Sequence, residues 1–467
     1  GRFHREKHFL PKMIEDLWSA RDQAKREGEK AFSQAIKIIM NSFGTTSDTE
    51  IKSFFKTYNF SENNALFLLL SKIRAGVLSD NYSFLKFIVV VANINLIGFV
   101  IINFYDQLSF HINAIVIILS ALLLYYGIIV IITKNLIYYQ YSTQPTNTRK
   151  FNVKFGLLVA GLVVLILNSI TKMPEFDNNL FTLNPIQEDK TVVDLDTFLE
   201  DRTPDLSKTR YYIGCYGGGV KSNAWTMTVL HALQQQDPNF LKQTITISGV
   251  SGGTMGLTNL SSIIHNTNEE NYLNKIDILS TQNILGLDLT HILGRDLFMH
   301  LFIPGCDLSG KDRSSSAMKQ YAKMANSDAY NDKKTFRSYW AEIYKNQGNR
   351  YPILIANTTN VKGNQGMAVS VSTEDATDAS LLYQGADDIL SIGQDKTLTY
   401  YDAASTSNRF PVISPAAKIE TLGHYNDGGI YENSGLLSAY KLYTAIENKD
   451  SIPKAKRNVF ISVVNDK

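Results

Sequence analysis

The 467-residue chain has only two cysteines, Cys215 and Cys306. Two thiols cannot make a disulfide framework, and neither stands in a C-x-x-C spacing, so both are expected to be small buried hydrophobes. Charge is scarce as well: 19% of residues are charged and the formal net charge is +2. With no basic tract, a polyanionic partner such as nucleic acid is not expected. Histidines number 8. Nothing in their spacing pairs His231, His265, His291 or His300 into a metal site, and packing or surface roles are expected for them. The chain carries no internal repeat and no low-complexity tract.

What is present in quantity is apolar sequence, 44% of residues. The length predicts two or more units, and the apolar residues concentrate between about 84 and 171. Residues 1–83 read as a helical N-terminal region. Leu10, Met13, Ile14, Leu17 and Trp18, then Phe32, Ala35, Ile36, Ile39 and Met40, recur at helical spacing, and Ser61 opens another helical run. Residues 84–172 read as a membrane region with transmembrane helices over 87–104, 112–132 and 155–171. Lys72, Arg74 and Lys86 precede the first run, and Lys134, Arg149, Lys150 and Lys154 lie between the second and third. The positive-inside tendency then puts the N-terminus in the cytoplasm and everything after the third run outside, as in a multi-pass protein of a bacterial inner membrane. A linker is expected over 173–207. The chain starts at Gly1 rather than Met and stops at Lys467 just after a strand-like "NVFISVV", so both ends are expected to be cut.

From about residue 208 to 467, short β-like runs alternate with helical ones: "RYYIGCY" with "SNAWTMTVLHALQQQ", and "TITIS" with "GGTMGLTNLSSIIH". That alternation predicts an α/β domain with a mostly parallel central sheet sandwiched by helices. The largely helical or irregular stretch 265–350 is expected to cap it.

Three glycine-marked features fall in this region. Ser251 stands at a strand-to-helix corner, flanked by Gly249 and by Gly252-Gly253, where a strained backbone exposes a hydroxyl and the following helix start favours negative charge. Gly217, Gly218 and Gly219 follow a strand and open a helix, so their N–H groups can face an anion. The spacing is not that of a phosphate-binding G-x-x-x-x-G-K-[ST] loop; Lys221 adds positive charge at its mouth or is solvated. Asp427 precedes Gly428 and Gly429, by default a β-turn. Together the three supply what a serine hydrolase needs: nucleophile, oxyanion donors and base. A second arrangement stays open, with Ser251, Asp402 and His424 in the Ser…Asp…His order of an α/β-hydrolase. So does a non-catalytic membrane sensor or assembly protein that uses a hydrolase-like domain for binding.

These residues resemble the patatin-like phospholipase family. Gly217-Gly218-Gly219-Val220-Lys221 matches its oxyanion loop, Gly249-Val250-Ser251-Gly252-Gly253 its nucleophile elbow and Asp427-Gly428-Gly429 its base motif. "AASTSNRFPVISPAAKI" over 403–419 is similar to the family's approach to the base motif. The chain departs from the pattern at Ser222, where the family has glycine, and at "YENSG" after the base motif. The resemblance implies a membrane-anchored lipid acyl hydrolase acting on a phospholipid or lysophospholipid, with a Ser251–Asp427 dyad, no histidine and no cofactor or metal. Gly217, Gly218 and Gly219 are then the oxyanion hole, and Lys221, Gly249, Gly253 and Gly428 support it.

Overall fold

The computed structural model describes residues 105–141, 180–189, 191–296 and 313–465, with scattered positions between 90 and 102. The expected N-terminal helices over 1–83 and the third apolar run, 155–171, lie outside the described residues, as do Cys306 and His300. The chain divides into Gly1–Val90 and Val91–Lys467. The account below concerns the second unit.

Its first long element is α1 (Ala114–Tyr141), which contains most of the second apolar run. Ile117, Ala121 and Leu124 are buried against Leu289 and Leu293. Ile115, Leu119, Leu122 and Tyr126 face outward and are exposed. Among the described residues no helix is long and apolar enough to cross a membrane.

The α/β part begins with β1 (Leu180–Thr182), β2 (Ile186–Gln187) and α2 (Leu195–Asp201), the last capped by the Asp194 carboxylate accepting the Thr197 N–H. It continues through β3 (Thr209–Cys215), α3 (Gly219–Gln236), β4 (Thr244–Val250), α4 (Gly252–Asn266), α5 (Tyr272–Thr281), α6 (Ile284–Thr290), α7 (Arg313–Met324) and α8 (Phe336–Asn346). The C-terminal half supplies β5 (Ile353–Asn360), β6 (Gln365–Val369), α9 (Ala376–Leu382), β7 (Ala386–Asp388), β8 (Lys396–Thr397) and α10 (Tyr400–Ser407). Then come β9 (Ala416–Ile419), β10 (Gly423–Asp427), α11 (Leu436–Glu447) and β11 (Arg457–Val463).

Nine strands of the described residues join one sheet, in the order β1-β9-β10-β5-β4-β3-β11, with β6 and β7 continuing from β5. The β11-β3-β4-β5 core is parallel, as the strand–helix alternation predicts. β4 and β5 are buried along their whole length, so the threonines that alternate with isoleucine in "TITISGV" are buried too, and Thr244 and Thr246 donate their hydroxyls to Phe240 O and Ile353 O. Helices cover both faces. A side-chain carbon on Gly214 of β3 would run into Leu436 of α11, whereas one on Gly249 of β4 would run into Leu257 of α4. Gly214 is paired with Ser248, so Gly249, the next residue along, points the other way.

One boundary needs correction. Residues 173–207 are not simply a linker: Leu180–Thr182 pairs in parallel with Ala416–Lys418, and Phe198 and Leu199 of α2 are fully buried in the main core. The α/β unit therefore starts before residue 208. A three-residue strand offers too short a pattern to read without its partner.

Candidate active site

The site forms where two strands meet end to end along a third. β4 runs parallel to β5 and finishes with Val250 opposite Asn357. β10 runs antiparallel to β5 and finishes with Asp427 opposite Thr358, the next position. Both lie on the same side of β5, because β6 occupies the other. Chain ends 176 positions apart thus arrive side by side, and Ser251 Oγ donates to Asp427 Oδ2 at 2.6 Å.

Ser251 is the N-cap of α4 with φ 50° and ψ −124°, a region that L residues with a side chain occupy at a cost of about 1–3 kcal/mol. The turn is held: the Ser251 N–H donates to Ser407 Oγ at 2.9 Å and its carbonyl accepts the Met255 N–H at 3.1 Å. It also needs space. A side-chain carbon on Gly249 would sit 2.7 Å from Thr254 N, and one on Gly253 2.6 Å from Tyr216 O. At these two glycines the backbone of the corner touches the neighbouring helix and loop directly.

Asp427 is almost fully buried. Burial pushes its carboxyl above the usual aspartate range, opposed by hydrogen bonds from the Ser251 hydroxyl and the Gly429 N–H. Its Oδ1 accepts that N–H at 2.8 Å. Its backbone is fixed by N–H donation to Arg409 O at 2.9 Å and by Thr359 Oγ1 donating to its carbonyl at 2.9 Å. Gly428 is required by contact, since a side-chain carbon there would overlap Asn357 O.

The glycine loop lies over the nucleophile. A side-chain carbon on Gly217 would come within 3.2 Å of Ser251 Cβ. Gly218 and Gly219 have φ 153° and 60°, and Gly219 starts α3. A side-chain carbon on Gly252 would overlap Gly219 O, so the first residues of α3 and α4 are in backbone contact. Two helix starts therefore converge beside Ser251, each with N–H groups that have no partner inside the helix and a partial positive charge. The three glycines are not equivalent. The Gly217 N–H is committed to Asn433 O at 3.0 Å, which sets Gly217 apart from Gly218 and Gly219 at the start of α3. Lys221 sits exposed in the first turn of α3. Ser222 turns its hydroxyl back to Tyr216 O, tying the loop to the helix it opens.

The Ser–Asp–His arrangement is not assembled. Asp402 lies in the first turn of α10, its carboxylate accepting from the hydroxyl of the N-cap Thr399 at 2.8 Å. His424 lies three residues before Asp427 on β10, about 10 Å away at strand spacing, and its Nε2 is buried with no hydrogen-bond partner among the described residues. Cys215 is buried and burial pushes its thiol up to about 12, so it behaves as the small hydrophobe expected. Among the described residues no group of three or more His, Cys, Asp or Glu is placed to hold a metal ion.

Two residues of the site carry no motif. Asn433 wedges between Gly217 and Gly429, its Oδ1 against both. Asn408, the C-cap of α10, lies with its amide 3.4 Å from Ser251 Oγ. Asparagine is common in turns, so only their places, Asn408 beside Ser251 and Asn433 between the glycine loop and the Asp427 turn, distinguish these two from the rest.

No protein-family model matches the chain, and no solved structure matches it. Among curated proteins, DNA polymerase II of Escherichia coli (strain K12) is 51% identical over 53 residues, 11% of this chain. The chain spans 7% of the length of that protein, too little to bear on the α/β unit as a whole.

Proposed function

We propose that the protein is a membrane-anchored serine lipid acyl hydrolase of the phospholipase A or lysophospholipase kind, as its motifs resemble those of patatin-like phospholipases. The observation that carries this reading is the 2.6 Å hydrogen bond from Ser251 Oγ to the buried Asp427 carboxylate, made at a strained corner between two helix starts. As Oγ attacks the ester carbonyl, its proton passes to Asp427 Oδ2 and the alcohol leaves with that proton. Water then attacks the acyl-enzyme, giving its proton to Asp427, and Oγ recovers one as the fatty acid departs. The Gly218 and Gly219 N–H groups face the oxyanion, each worth about 3 kcal/mol in the transition state.

A lipid substrate accords with the rim. Phe410 and Val412 follow Asn408 on one side, Ile430 and Tyr431 follow the Asp427 turn on another, and Val220 flanks Gly219; all five are exposed. Anchorage rests on the charge-free runs 87–104, 112–132 and 155–171 and on the exposed apolar face of α1. The positive-inside bias puts the α/β unit on the extracytoplasmic face.

The test is trapping with a fluorophosphonate. The wild-type chain should label at one residue, identified as Ser251 by peptide mapping, and Ser251→Ala should abolish both labelling and release of fatty acid from phospholipid vesicles. A folded wild-type chain that never labels would refute the hydrolase reading and leave a binding domain.

A further inference from the structure

Hydrogen bonding around Ser251 leaves one group unaccounted for. The serine hydroxyl carries a single proton, and Asp427 Oδ2 takes it at 2.6 Å. Asn408 nonetheless faces the same Oγ at 3.4 Å with its amide oxygen, which sets two acceptors against each other with no hydrogen between them. A half-turn of the amide exchanges oxygen for nitrogen at the same position. Asn408 makes no other side-chain hydrogen bond among the described residues, so the turn breaks nothing there.

The neighbours of Asn408 hold it in place. Ser407 Oγ accepts the Ser251 N–H and shares a proton with Thr254 Oγ1 at 2.7 Å. Arg409 accepts the Asp427 N–H through its carbonyl, and its buried guanidinium donates to Pro415 O at 2.8 Å. Residue 407 is thus bonded to the nucleophile and residue 409 to the base, with Asn408 between them.

From this we infer that Asn408 is a third catalytic residue, its side-chain N–H donating to Ser251 Oγ. The inference rests on the hydrolase reading above. When the C–Oγ bond forms, the Oγ proton moves to Asp427. When that bond breaks in the second half-reaction, negative charge builds on Oγ as Asp427 returns the proton. At both moments the Asn408 N–H meets developing negative charge on Oγ, and it accepts nothing.

The full-length chain is assayed for hydrolysis of a fatty-acid nitrophenyl ester and for fluorophosphonate labelling, as wild type, Asn408→Ala and Asn408→Asp. Loss of the donor in Asn408→Ala should lower kcat by about 10- to 100-fold with KM unchanged. Asn408→Asp should be slower still, because it aims a second acceptor at Oγ, and its acid limb should move to higher pH because two carboxylates then face each other. Were Asn408 an acceptor, Asn408→Asp would retain its role and outrun Asn408→Ala, which overturns the inference, as do equal rates in all three. A wild-type chain inert to both reagents is a different failure: it removes the hydrolase reading and the catalytic role with it.

Discussion

Asp427 has two opposed consequences for the same molecule. Its carboxyl is held above the ordinary range by burial, so the folded protein binds this proton more tightly than the unfolded chain. The contribution to stability is then full below the unfolded carboxyl's range, near about 4, and is lost as pH rises through the raised folded value. Once ionised, the buried charge weakens the fold, while the proposed reaction needs that same ionised form as its base. Asp427→Asn keeps an acceptor for Ser251 and removes the charge, so at pH 7 it should raise the melting temperature while abolishing ester hydrolysis. A lower melting temperature would show that the carboxylate is a net structural asset. His424→Ala should retain hydrolysis, and its loss would restore the Ser–Asp–His arrangement. The same raised carboxyl predicts that the acid limb of kcat/KM lies above the usual aspartate range, readable from a rate profile down to pH 3.5. A limb at or below about 4 would mean that the base is solvated.

At the level of elements, the site depends on how closely α3, α4 and the strand ends approach. Gly253 tests that approach, since a side-chain carbon there would meet the backbone oxygens of Cys215 and, at 2.6 Å, of Tyr216. Backbone cannot rotate away as a side chain can. Gly253→Ala should therefore cost about 1–3 kcal/mol, measured as a shift in denaturant midpoint, and should slow fluorophosphonate labelling by parting the glycine loop from Ser251. An unchanged midpoint would mean that α4 slides without penalty. This contact was legible as a flanking glycine in "GVSGG", but the identity of what it touches was not. Cys215 and Tyr216 lie more than thirty positions earlier and meet Gly253 only because β3 and β4 are neighbours.

For the whole molecule, the question is what covers the outward face of α1. Its inner side is fixed to the α/β unit through Ile117, Ala121 and Leu124 and through Asn283 Nδ2 donating to Ile112 O. The outward Ile115, Leu119, Leu122 and Tyr126 form an apolar strip of the kind that water does not tolerate over large areas. If lipid covers it, the chain should remain in the membrane fraction after an alkaline wash and be released by detergent. Recovery in the washed supernatant would count against anchorage. Protease digestion of the α/β unit in spheroplasts, but not in inverted vesicles, would bear out the extracytoplasmic orientation; the converse would reverse it.

Short-range physics made much of this protein legible from its residues. Short runs rich in β-branched and aromatic residues, glycines at a sharp corner, and alternation of strand with helix all act within ten or twenty positions. They marked β3, β4, α3, α4 and the candidate nucleophile. The resemblance of three motifs then singled out Asp427 from the other carboxylates. What the sequence left open was decided by register. Val250 and Asp427 occupy adjacent places on β5, a matter of sheet pairing across 176 positions that no local pattern encodes. The same long-range packing commits the Gly217 N–H to Asn433, draws 180–206 into the α/β unit, and brings Asn408 beside Ser251. Local preference chooses each corner; only the assembled sheet determines which corners meet.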